Sequence, residues 1–206
     1  MDLQLWLAFV GASLVILFVP GPTVLLVLSY ALSHGKRAAF ATVAGVALGD
    51  FIAMTASLVG LGALILASAE LFTILKWIGV VYLLYLGYKL LKSKPDIVFE
   101  DNDLPVKGIF GHAAAVTALN PKSIAFFIAF VPQFMRAEGP LLPQFVILIS
   151  TFVTLAAMNA FLMAVLGHRL RDFIAGPKVN AWLSRLGGGA LVAMGVATAL
   201  TSRANS

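Results

Sequence analysis

The sequence contains no cysteine, which excludes disulfides, thiolate metal ligands and a thiol nucleophile. Charge is scarce too. Only 11% of the 206 residues are charged, against roughly 25% in soluble domains. From Leu3 to Ser33 there is none at all. No GxxxxGK[ST] loop is present to cradle a nucleotide, so ATP does not drive this chain directly. Histidine is limited to His34, His112 and His168. They lie far apart in the chain near expected helix ends, so neither a metal site nor any other cofactor is expected.

What is present is apolar. Hydrophobic residues make up 61% and the mean hydropathy is +0.99. A surface of that composition needs lipid as its solvent. The net charge of +5 and pI near 9.7 come from basic residues in short loops between apolar runs. That pattern reads as membrane orientation, not nucleic-acid binding. Only Asp2 precedes the first run. There is no basic n-region, and the run is too long for a signal-peptide core, so it reads as a retained first span.

Charged residues divide the chain into six apolar segments: 3–32, 38–67, 71–91, 108–135, 141–166 and 179–200. Each is long enough to cross ~30 Å of hydrocarbon as a helix. A β-barrel would need alternating polarity and a turn about every ten residues, and neither occurs. The expected fold is an all-α membrane protein with six transmembrane helices. Residues 92–107 carry Asp96, Glu100, Asp101 and Asp103 and read as a loop. Lys and Arg mark the cytoplasmic side. Loops after the first, third and fifth segments hold Lys36, Arg37, Lys89, Lys92, Lys94, Lys107, Arg169, Arg171, Lys178 and Arg185. The other side holds Lys76, Arg136 and Arg203. The loop at 92–107 is therefore cytoplasmic and both termini lie outside the cytoplasm.

Three spans per half would give two halves of opposite topology, 1–91 and 108–206. Gly79 and Gly87 in the third span match Gly187 and Gly195 in the sixth. The first and fourth spans each carry a proline-centred break, Pro20-Gly21-Pro22-Thr23 and Asn120-Pro121-Lys122-Ser123. Paired breaks in inverted repeats point to a transport site near the bilayer midplane.

The first break removes two backbone donors and frees carbonyls upstream, and it pushes the residues before the prolines out of helical geometry. A simple kink would need only one proline. The second break adds Lys122, a charge that costs about 2.5–3.5 kcal/mol at mid-membrane on insertion scales. It must face a cavity or a counter-charge, unless the helix begins at Pro121 and leaves it at the interface. Asp50 is the one acid deep within an apolar segment. Burial disfavours its charged form, which suits a proton carrier; a structural ion pair is the plainer reading. Beside it Gly45, Gly49, Ala53 and Ser57 form a small-residue stripe for close helix approach, within one subunit or between two, so a homo-oligomer stays open. Asn159 reads as a helix-to-helix contact more than a ligand. An aspartyl protease would need a second buried acid, and a serine protease a deep histidine; the chain offers neither, and no catalytic residue is assigned.

In order and spacing, Pro20-Gly21-Pro22, Gly45-xxx-Gly49-Asp50, Tyr82-Leu-Leu-Tyr-Leu-Gly87 and Asn120-Pro121-Lys122 resemble the LysE/RhtB family of bacterial amino-acid exporters. The resemblance implies a secondary transporter in the cytoplasmic (inner) membrane that exports homoserine, threonine, leucine, lysine or a close derivative, coupled to proton entry. It implies roles for Pro20, Gly21, Pro22, Gly49, Asp50, Asn120, Pro121 and Lys122. The carboxylate of a zwitterion would meet the half-helix amino ends, Thr23 among them, and Lys122. Its ammonium would meet Asp50, the proton-coupling group, and the freed carbonyls. An exporter of another solute or cation, and a non-transporting assembly subunit, stand as alternatives.

Overall fold

A computed structural model of the chain describes residues 2–19, 21–33, 35–92, 105–136, 139–174 and 177–204. Among them every regular element is helical. In chain order these are α1 (Leu3–Phe18), α2 (Pro22–Ser33), α3 (Gly35–Ala67), α4 (Ala69–Lys92), α5 (Val106–Ala118), α6 (Pro121–Ala129), a 3₁₀ turn (Val131–Phe134), α7 (Leu141–Ile174) and α8 (Pro177–Ala204). Residues 93–104, most of the expected cytoplasmic loop, lie outside the described residues, as does Pro20.

Three described stretches are long and apolar enough to cross a membrane: Ala38–Leu64, Thr73–Lys92 and Leu141–Leu166. The pair α1 and α2, bent by 62°, adds a fourth if it is one span. The apolar parts of α5 (Gly108–Ala118) and α8 (Ser184–Leu200) are shorter. The outer surface carries large apolar side chains, among them Phe40, Val81, Leu142, Val165 and Leu200, each more than 60% exposed. Water would not tolerate that surface; lipid does. Few backbone groups can be left open to such a solvent, which is why the surface-forming elements are helices.

Small residues set how closely the helices approach. A side chain added at Gly45 would meet the Phe110 carbonyl at 2.5 Å, and one at Gly49 would meet the Ala114 carbonyl at 2.6 Å. The stripe therefore packs α3 along α5 within one chain, and the order of contacts makes the two helices parallel. Gly87 lies against Gly188, and Gly195 against Leu84, so α4 and α8 run antiparallel with backbones nearly touching. Gly79 faces Ala129 on α6, and Gly187 faces Val19 at the end of α1.

The short helix α6 is held by aromatic packing. Phe126, Phe127 and Phe152 are almost wholly buried. Phe127 meets Phe152 of α7 edge-on with centroids 4.8 Å apart, and Phe130 meets Phe134 at 5.2 Å. Phe134 in turn meets Phe9 of α1 at 5.5 Å. Edge-to-face pairs add about 0.5–1.5 kcal/mol each beyond their burial. A helix of nine residues would be marginal alone, so this cluster fixes it against α1 and α7.

The seam gives a direct test. Gly49→Val should lower stability by about 1–3 kcal/mol through overpacking, read as a lower thermal midpoint in detergent. Gly60→Ala, where an added carbon meets nothing within 4 Å, should hold stability or raise it by up to about 1 kcal/mol. A Gly49→Val protein as stable as the parent would refute the close α3–α5 contact.

Candidate functional site

The site begins with backbone geometry. In α1 the Ile16 carbonyl would bond to the N–H of residue 20, and the Phe18 carbonyl to that of residue 22. Both are proline and have no N–H. The helix stops at Phe18, and Val19 turns to extended geometry with φ −66° and ψ 120°. Carbonyls at the end of α1 are thus left without helical partners in a part of the molecule sheltered from water.

Two side chains from distant helices take up three of these carbonyls. The Lys122 ammonium donates to the Ile16 carbonyl at 3.0 Å and the Val19 carbonyl at 2.8 Å. Asn159 on α7 donates from Nδ2 to the Leu17 carbonyl at 3.4 Å. Ile16 and Val19 are each only 2% exposed. A cation at the carboxyl end of α1 also meets the negative end of its dipole. Hydrogen bonds to a charged group contribute about 1.5–3 kcal/mol each, enough to offset the cost of placing a lysine at depth.

The second break is built from its own cap. Asn120 stands at the N-cap of α6, where its Oδ1 accepts from the Lys122 N–H at 3.1 Å. Pro121 follows at the first helical position, where no intrahelical donor is needed. The same Asn120 donates from Nδ2 to Thr23 Oγ1 at 3.0 Å, and Thr23 shares a longer contact of 3.4 Å with Thr117 Oγ1. The two breaks therefore touch directly. Gly21 lies against the Lys122 side chain, since an added carbon there would sit 3.3 Å from Nζ.

Between the breaks is a cavity of about 30 Å³, room for about two water molecules. Thr23, Asp50, Asn120, Lys122, Ser123 and Asn159 supply its polar wall, while Ile16, Val24, Phe152 and Met163 are among its apolar lining. Asp50 is 3% exposed, and no direct ion pair joins it to Lys122 among the described residues. The opposite charges face one space while the ammonium's hydrogen bonds go to backbone. The Oδ1 atom of Asn159 is buried with no hydrogen-bond partner. A lone acceptor of that kind on a cavity wall is a place for a donor brought by a ligand.

The structure thus gathers Gly21, Pro22, Thr23, Asp50, Asn120, Pro121 and Lys122 around two adjoining breaks, and Pro20 lies outside the described residues. Gly45 and Gly49 sit one helix face away, in the seam with α5. Sequence reasoning left Thr117 unnamed and gave Ser123 no role beyond its place in the second break; each is a hydroxyl within three residues of a break, which is the signal available. Asn159 was legible as a contact, but its partner, a backbone carbonyl rather than another helix's side chain, was not. His112 is apart from the cavity and bonds Tyr30 through Nδ1 at 2.6 Å. Among the described residues no three His, Cys, Asp or Glu side chains gather to hold a metal ion.

Comparison with known proteins matches residues 14–202 to the family described as LysE type translocator. The chain is 32% identical over 197 residues to a homoserine/homoserine lactone efflux protein of Salmonella typhimurium, covering 95% of this chain and 96% of that one. It is 36% identical over 142 residues to a leucine efflux protein of Salmonella choleraesuis, covering 67% and 66%. An uncharacterised membrane protein of Vibrio cholerae is 30% identical over 198 residues, covering 95% and 97%. No solved structure gives a significant match.

The contact between the breaks is open to a double-mutant cycle. Asn120→Ala should destabilise by about 1–2 kcal/mol through the lost cap and the lost bond to Thr23. With Thr23→Val the cycle should give a coupling of about 0.5–1.5 kcal/mol. Strict additivity in thermal or denaturant unfolding would mean the two breaks do not touch.

Proposed function

The chain belongs to the LysE type translocator family, and we propose that it exports amino acids or close derivatives across the bacterial cytoplasmic membrane by proton antiport. It is a transporter and not an enzyme. The observation that carries the substrate reading is the cavity between the two breaks, where one carboxylate, Asp50, and one ammonium, Lys122, face the same space. A zwitterion has the complementary pair of charges. Substrates of the homoserine, threonine, leucine or lysine kind fit this reading, and the efflux names of its relatives favour the first and third.

The substrate carboxylate goes to Lys122 and to the amino ends of α2 and α6, whose dipoles attract anions. The substrate ammonium goes to Asp50 and to the unpartnered Oδ1 of Asn159. The freed carbonyls of Ile16 and Val19, which the sequence offered for the ammonium, are already held by Lys122. A cavity of about 30 Å³ does not admit an amino acid, so the cycle requires the two breaks to part. Proton entry to Asp50 from outside weakens its hold on the ammonium and favours release. The matching breaks and the antiparallel contact of α4 with α8 support six spans arranged as two inverted repeats that rock about this site. The excess of Lys and Arg in one set of loops supports both termini lying outside the cytoplasm.

A cation exporter would gather several acids at depth, and Asp50 is the one acid on this cavity. An assembly subunit would have no need of opposed charges around a sheltered space.

The test is uptake of a panel of radiolabelled amino acids into inverted membrane vesicles, with and without an inward-acid proton gradient. At least one neutral or basic amino acid should accumulate only with the gradient. Asp50→Asn should cut gradient-driven uptake by about tenfold or more. Undiminished proton-driven uptake by Asp50→Asn would remove Asp50 from coupling, and no uptake of any amino acid by the parent protein would defeat the substrate reading.

A further inference from the structure

Lys122 stands where an inorganic cation or a small ammonium would bind. Its Nζ is held by two backbone carbonyls, Ile16 at 3.0 Å and Val19 at 2.8 Å. Both carbonyls are freed by a broken helix, and both lie at the negative end of its dipole. The Asp50 carboxylate lines the same cavity. Two carbonyl oxygens at a buried point, with a carboxylate across the cavity, are the kind of oxygen donors that a hard cation takes, and unwound carbonyls at a helix break serve Na⁺ in other transporters. The long side chain reaches this point because residue 21 is glycine; a side-chain carbon there would sit 3.3 Å from Nζ.

We propose that the Ile16 and Val19 carbonyls, facing the Asp50 carboxylate across the cavity, form an internal cation site that the chain fills with its own ammonium, Lys122, and that the site accepts Na⁺ or a small primary ammonium when that side chain is shortened. The tethered charge fills the site while the two breaks are joined, so in that state the parent protein needs no inorganic cation to hold its broken helix together. This goes beyond the export reading and does not depend on it.

The experiment is thermal unfolding of the purified protein in detergent, at equal ionic strength, in sodium chloride, methylammonium chloride or choline chloride. Choline is too large for the space. The parent protein should unfold at the same temperature in all three. Lys122→Ala should unfold lower in choline, and Na⁺ or methylammonium should raise its midpoint saturably by about 3 °C or more. Lys122→Met, whose side chain still fills the space, should be destabilised and unresponsive. Adding Asp50→Asn to Lys122→Ala should abolish the rise. Equal responses in every variant, or none in Lys122→Ala, would overturn the site. If Lys122→Ala does not fold, Lys122→Met and Lys122→Arg decide. A Lys122→Met midpoint equal to the parent's overturns the proposal, and a loss that Lys122→Arg largely avoids supports it. None of these readings involves transport, so a negative result leaves the export reading standing.

Discussion

Three carbonyls at the end of α1 need donors, and the chain's own sequence has removed two of the N–H groups that would have served its last turn. In water this would be a minor matter. In lipid each open backbone group costs several kcal/mol, so the break exists only because Lys122 and Asn159 reach it from α6 and α7. The rest of the structure can be read as the means of delivering those side chains. Asn120 caps α6 and turns Lys122 inward. Phe127 of α6 packs on α7, and Phe134 of the turn that follows packs on α1.

The molecule divides into parts that are tight and parts that are held by few bonds. The glycine seams between α3 and α5 and between α4 and α8 bring backbones into contact, and such packing has few alternative arrangements. The contact between the breaks rests on a handful of hydrogen bonds around a small cavity. Motion concentrated there, with the seams kept intact, is what alternating access about a central site requires. Asp50, for which a coupling role is proposed, lies one residue beyond the Gly49 contact, where α3 passes from rigid seam into cavity wall.

Much of this was legible in the sequence for physical reasons. Apolar runs between charges marked the spans, because in lipid the cost of charge sets their bounds; the membrane-crossing stretches Ala38–Leu64, Thr73–Lys92 and Leu141–Leu166 follow those runs closely, while α7 itself continues to Ile174. Pro20-Gly21-Pro22 and Asn120-Pro121 announced breaks through missing donors, and Asp50 and Lys122 stood out as isolated charges at depth. What did not show was who pairs with whom. That Lys122 bonds carbonyls more than a hundred residues away depends on how α6 packs on α1, which no local pattern encodes. The plainer expectation that Pro121 opens a helix is correct, yet it did not leave Lys122 at the surface: the helix begins inside the bundle, and its ammonium turns toward α1. The Gly45 stripe likewise specified a close contact without specifying α5 as its partner.

The ammonium of Lys122 lying on the end of α1 is the contact on which the site depends. Solid-state NMR on protein in lipid, with ¹⁵Nζ-lysine and ¹³C-carbonyl labels at isoleucine and valine, reads that contact directly as a dipolar coupling. Measurable Nζ–carbonyl-carbon couplings are expected for both Ile16 and Val19, whose carbonyl oxygens lie 3.0 and 2.8 Å from Nζ, and both should vanish in Lys122→Met. A Lys122 signal with no coupling to either carbonyl would contradict that contact.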